Sequence, residues 1–144
     1  MTKIITFTIK GNQEDNEGNP IPYVRVVSRA LWLPNAQRYH EWKEYVRNSF
    51  FKGYPEYVSY SDRHLIVDDE PLTTKASERA RMDIKIFWRN GVHGDPDNIF
   101  KGIADSLFKD DKFLDGSFES CHAPDGRGKV EVKITINTGA DEVL

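Results

Sequence analysis

Residues 82–107 read MDIKIFWRNGVHGDPDNIFKGIADSL, a strand, a turn and a helix in immediate succession. Met82, Ile84, Ile86 and Trp88 alternate with Asp83, Lys85, Phe87 and Arg89, the two-residue period of a half-buried strand. Gly91, His93 and Gly94 interrupt it. Pro96 keeps Asp95 out of the helical region, so Asp95 either ends the extended segment or caps a helix, with Pro96 suited to its first position. Beyond it Ile99, Ile103 and Leu107 share one face, with Phe100, Ala104 and Phe108 beside them. Asp97, Lys101 and Asp105 keep the same four-residue step on a different face, and Asp110-Asp111 follow shortly after. Apolar groups point one way, and a carboxylate–lysine–carboxylate stripe points another.

The flanking sequence extends this pattern. Lys3 to Lys10 alternates as a strand, with Ile5, Phe7 and Ile9 on one side, and Gly11 to Pro22 is an acidic loop rich in Asn, Gly and Pro. Tyr23 to Arg29 is extended again, with Arg25, Val27 and Arg29 on one side, and is expected to form a hairpin with the first strand. Pro34-Asn35 announces a helix over 36–52 with Asn35 as N-cap; Tyr39, Trp42, Val46 and Phe50 form its buried face, and Gly53 and Pro55 end it. Glu56 to Tyr60 and His64 to Val67 have strand-like composition, whereas Thr73 to Arg81 shows no apolar face. Lys112 to Ser120 reads as a short strand or edge segment, Pro124-Asp125-Gly126 as a turn, and Lys129 to Ile136 as a closing strand that buries Val130, Val132, Ile134 and Ile136. The expectation is a single α+β domain over 1–144: a mainly antiparallel or mixed sheet, wet on one face, with helices 36–52 and 96–108 covering the other.

Composition narrows the class. The 144 residues suit one domain, and 38% hydrophobic with 30% charged residues is the balance of a soluble globular chain. No apolar run is long enough to span a bilayer, and the opening Met1-Thr2-Lys3-Ile4 has no signal-peptide layout. One cysteine, Cys121, cannot form an intrachain disulfide, so a reducing, cytoplasmic setting with no membrane partner is expected. A net charge of −3 argues weakly against nucleic acid, but bases surround the acids. Arg79, Arg81, Lys85 and Arg89 precede the motif, Lys109 and Lys112 flank Asp110-Asp111, and Arg127, Lys129 and Lys133 come late.

Singly, each acid has an ordinary structural use: an N-cap, a first-turn carboxylate, or a surface pair between Lys101 and Asp105. Crowded together, the carboxylates repel unless a divalent cation compensates them. Oxygen ligands favour magnesium or manganese. A calcium loop fails because the positions counted from Asp95 put Ile99 and Phe100 where a ligand and a glycine belong, and zinc lacks a second ligand pair beside Cys121-His122. Magnesium held beside a lysine suits phosphodiester hydrolysis, with Lys101 on the scissile phosphate or leaving oxygen. There is neither a nucleophilic G-x-S-x-G nor a P-loop.

The run D-P-D-N-I-F-K-G-I-A-D-S-L followed by D-D resembles the D-x-D-N-x-x-K-x-x-x-D-x-L…D-D signature of the RusA family of Holliday junction resolvases. The order of the flanking elements is similar too. This resemblance implies a homodimeric, magnesium-dependent endonuclease (manganese substituting) that nicks four-way DNA junctions symmetrically in recombination and repair. It implies Asp95, Asp97 and Asp111 as catalytic metal ligands, Lys101 as the catalytic lysine, and Asp105 and Asp110 in support, Asp105 by holding Lys101 or completing the cluster. Two other readings are a magnesium nuclease acting on flaps or forks, and a non-catalytic DNA-binding module whose acids only cap a helix.

Overall fold

The structure, a computed structural model, describes residues 2–25, 32–54, 66–67, 70–71, 80–89, 94–108 and 114–137. The elements in chain order are β1 (Thr2–Lys10), α1 (Pro34–Gly53), β2 (Ile66–Val67), β3 (Glu70–Pro71), β4 (Ala80–Trp88), α2 (Pro96–Leu107), β5 (Asp115–His122) and β6 (Lys129–Asn137). Four strands form a mixed sheet in the order β1-β6-β4-β5, while β2 and β3 make a separate two-stranded ribbon. The fold is α+β, as the alternating strands and two amphipathic helices imply.

Register explains the core. Ile5, Ile134 and Met82 lie in one cross-strand row, Phe7, Val132 and Ile84 in the next, and Ile9, Val130 and Ile86 in a third. All but the half-buried Phe7 are fully buried, so period-2 alternation on three strands builds one apolar face. Both helices cover that face. The Phe50 ring of α1 meets Phe7 edge-on at 5.3 Å, and Phe100 of α2 meets Phe118 of β5 at 6.1 Å. The aromatic stripe Tyr39, Trp42, Val46 and Phe50 is core, as its spacing requires.

Several expectations need correction. Among the described residues β1 has no hairpin partner: it pairs antiparallel with β6 along its whole length, and Tyr23 to Arg25 is not strand. The Tyr23 N–H instead donates to the Asn98 carbonyl at 3.0 Å, which ties this segment to α2 and not to the sheet. Val27 and Arg29 lie outside the described residues. Helix α1 starts at Pro34 with Leu33 in the N-cap position, making no side-chain cap, so Asn35 sits within the first turn. Proline's fixed φ and missing N–H suit a helix start, which moves the boundary ahead of Asn35.

The segment after the acidic motif is a full edge strand reaching His122, and it runs parallel to β4. A parallel pair needs a crossover, and α2 lies in the chain between the two strands. Its apolar content is low because most of its residues face solvent. Gly116 is required within it: a Cβ there would lie 1.9 Å from the Met82 carbonyl oxygen and 2.8 Å from the Phe100 ring. The turn at Pro124-Asp125-Gly126 is present, with Gly126 at φ 72°. Glu56 to Tyr60 lies outside the described residues, as do 64–65 and 73–79. Ile66–Val67 is a short strand, and Ala80 and Arg81 open β4. No helix among the described residues is long and apolar enough to cross a membrane.

Candidate active site

Helix α2 is aimed by its two ends. Gly94 lies against Trp88 at the end of β4, where a Cβ would come within 3.0 Å of the indole. Asp95 then caps the helix: its Oδ1 accepts the Asp97 N–H at 2.9 Å, and Asn98 Nδ2 donates to Oδ2 at 3.3 Å. Pro96 occupies the first helical position, so the local sequence folds as Pro96 and the cap require. Ile99 in the first turn, Ile103 and, at the other end, Leu107 are buried in the core.

That docking turns Asp97, Lys101 and Asp105 outward. Lys101 Nζ lies 3.2 Å from Asp97 Oδ2, with both side chains about half exposed. Asp105 has other partners. The Tyr39 hydroxyl donates to its Oδ2 at 2.6 Å, and Lys43 Nζ of α1 lies 3.6 Å from the same oxygen. Of the two supporting roles expected for Asp105, holding Lys101 is not seen: the same four-residue step pairs Lys101 with Asp97, and Asp105 takes its donors from α1. Lys43 also sits over the Tyr39 ring at 5.1 Å, and Tyr23 meets Tyr39 edge-on at 5.5 Å. The stripe is bordered on this side by Tyr23, Tyr39 and Lys43. Gly102 lies in the same seam, where a Cβ would make only ordinary van der Waals contact with Tyr39 Cε1 and the Tyr23 nitrogen, at 3.4 and 3.5 Å.

Asp110 and Asp111 lie outside the described residues, so the structure brings together Asp95, Asp97 and Lys101 and is silent on the closing pair. Among the described residues no three His, Cys, Asp or Glu side chains gather into a metal-holding group. The donors at the helix start are nonetheless of one kind. Asp95 and Asp97 offer only hard carboxylate oxygens, and a carboxylate has about four lone-pair sites, so each keeps capacity beyond its present bonds. This chemistry fits magnesium or manganese. The helix dipole favours carboxylates at this end whether or not a cation is bound.

Two residues that sequence reading assigned only to a loop also help set the site. Asn19 Oδ1 accepts the Arg89 N–H at 2.7 Å, and Asp15 Oδ2 lies 2.6 Å from Arg89 Nη1. Both the backbone and the side chain of Arg89 are thus held at the end of β4, six residues before Asp95. The Glu17 N–H, and then Arg89, keep the Asp15 carboxyl below its ordinary pKa. Asn12, buried within the same loop, accepts the N–H groups of Glu14 and Asp15. Only the Asn- and Gly-rich composition hinted at a built turn, and nothing in it indicated contact with Arg89, 70 residues away from Asn19.

The opposite face of the sheet carries a shallow depression of about 440 Å³, lined by Thr6, Thr8, Asp83, Lys85, Glu131 and Lys133 among others. Burial raises the Asp83 pKa, but bonds from Ser117 and Arg81, with the charges of Arg81 and Lys133, outweigh it and leave the group below its ordinary value. The Asp83 end of this face is charge-paired, and the face lies away from the acidic stripe. No protein-family model matches the chain, and no curated protein matches it.

Proposed function

We propose that the chain is a magnesium-dependent, structure-selective DNA endonuclease of the RusA kind, which resolves four-way junctions by paired nicking. The observation that carries this reading is the exposed Asp97–Lys101 pair one turn from the Asp95 cap, within a run whose spacing resembles the family signature. In this reading Asp95, Asp97 and Asp111 hold the ion, and Asp110 supports them. Asp105 works at one remove, fixing Tyr39 and Lys43 beside the stripe. Bound magnesium would supply an activated water and offset charge developing on the phosphate. Lys101 places a point charge at the scissile phosphate or the leaving oxygen, and Asp97 holds that ammonium in place. A homodimer with two such sites matches the two strands to be cut, and the proposed setting is cytoplasmic and DNA-associated.

The Asp95 cap also favours a second reading, a DNA-binding module whose acids serve only the helix. Lys101→Ala separates the two. In the nuclease reading the variant binds a four-way junction nearly as tightly as the parent and cuts it about tenfold to a hundredfold more slowly, a loss of roughly 1.4 to 2.7 kcal/mol at the transition state. Normal turnover would make Lys101 a structural residue.

A further inference from the structure

The open face of the sheet has a basic corner that the acidic stripe does not use. Lys10 of β1 lies directly opposite Lys129 of β6, and Lys129 lies opposite Phe87 of β4. Lys85, two residues before Phe87, shares its face. The Lys85 and Lys129 ammoniums stand 5.3 and 4.8 Å from the centre of the Phe87 ring. Like charges directly opposite on paired strands are destabilising, yet here two lysines face each other and a third converges on the same ring. Lys85 has Glu131 and Glu119 as cross-strand neighbours, but it forms an ion pair with neither. The ring draws both cations without neutralising them. An anion would complete the arrangement.

Phe87 immediately precedes Trp88, against whose ring Gly94 lies at the approach to Asp95. The lysine corner and the acidic stripe therefore share one end of the sheet, on opposite faces. We infer that Lys85 and Lys129, gathered around Phe87, together with Lys10 opposite Lys129, bind the phosphodiester backbone of a duplex DNA arm that passes round this end of the sheet from the cutting site. The inference rests on the nuclease reading for the identity of the anion. The convergence of two ammoniums on one half-buried ring, with Lys10 directly opposite one of them, is independent of it.

The test is the salt dependence of binding to a synthetic four-way junction, measured without divalent metal. The triple variant Lys10→Gln, Lys85→Gln, Lys129→Gln is expected to bind more weakly. Its slope of log K against log salt should be shallower by about 2.7, at roughly 0.9 per duplex phosphate contact. The corresponding triple arginine variant should keep the parent slope. If the triple glutamine variant fails to fold, the Lys85→Gln, Lys129→Gln pair should lose about 1.8. A parent slope retained by a folded glutamine variant overturns the inference and leaves the nuclease reading intact, as does weaker binding at unchanged slope. A parent chain that binds no DNA overturns both.

Discussion

In magnesium, Asp97→Asn is expected to cut a synthetic four-way junction at least about a hundredfold more slowly than the parent chain, a loss of roughly 2.7 kcal/mol in the transition state. The substitution keeps the size and shape of the side chain and removes one charge. That charge holds Lys101 at 3.2 Å and, in the proposed site, the cation as well. The structural cost is far smaller. A half-exposed pair one helical turn apart contributes about 0.3–0.5 kcal/mol, and a first-turn carboxylate about 0.3–1 kcal/mol through the helix dipole. Folding is therefore nearly preserved while cleavage is lost, and circular dichroism beside the cleavage assay separates the two. Asp95→Asn serves as its companion: asparagine caps a helix about as well as aspartate, so the thermal midpoint holds while cutting falls. Undiminished cutting by Asp97→Asn removes the site assignment.

Trp42→Ala is expected to lower stability by about 3–5 kcal/mol, a fall in thermal midpoint of roughly 10–20 °C. Trp42 is fully buried at the centre of the α1 stripe and stacks near Tyr45, so truncation leaves a large void. Trp42→Phe should cost much less. The indole Nε1 is buried without a hydrogen-bond partner among the described residues, and phenylalanine removes that unpaired donor along with the ring's second cycle. Thermal denaturation followed by circular dichroism reads both. An Ala variant as stable as the parent would mean that α1 is not docked on the sheet through this face.

What the residues reveal in advance depends on whether the signal is local. Alternation at Met82–Trp88 and Lys129–Ile136, the helical step of Tyr39 to Phe50, and the Asp95-Pro96 cap are each written within a few residues, and all appear in the fold. The partner of β1 was not legible, because its register with β6 is a contact across most of the chain. The parallel strand β5 was legible only as an edge, because an exposed DGSFESCH segment lacks the apolar content by which strands are recognised. At the site, spacing placed Asp97, Lys101 and Asp105 on one flank of α2. It could not show that Tyr39 and Lys43 would draw Asp105 away from Lys101, since those donors come from another helix. The hold of Asn19 and Asp15 on Arg89 was hidden for the same reason.

The central claim is that the start of α2 belongs to a metal-dependent cutting site for branched DNA. A cleavage assay on a panel of four-way junctions, flaps, forks and linear duplexes, each with and without magnesium, tests it most directly. The account predicts paired nicks in the four-way junction that require magnesium or manganese, with weaker cutting of flaps and forks and none of linear duplex. Binding to the junction with no cleavage across both metal titrations would contradict it.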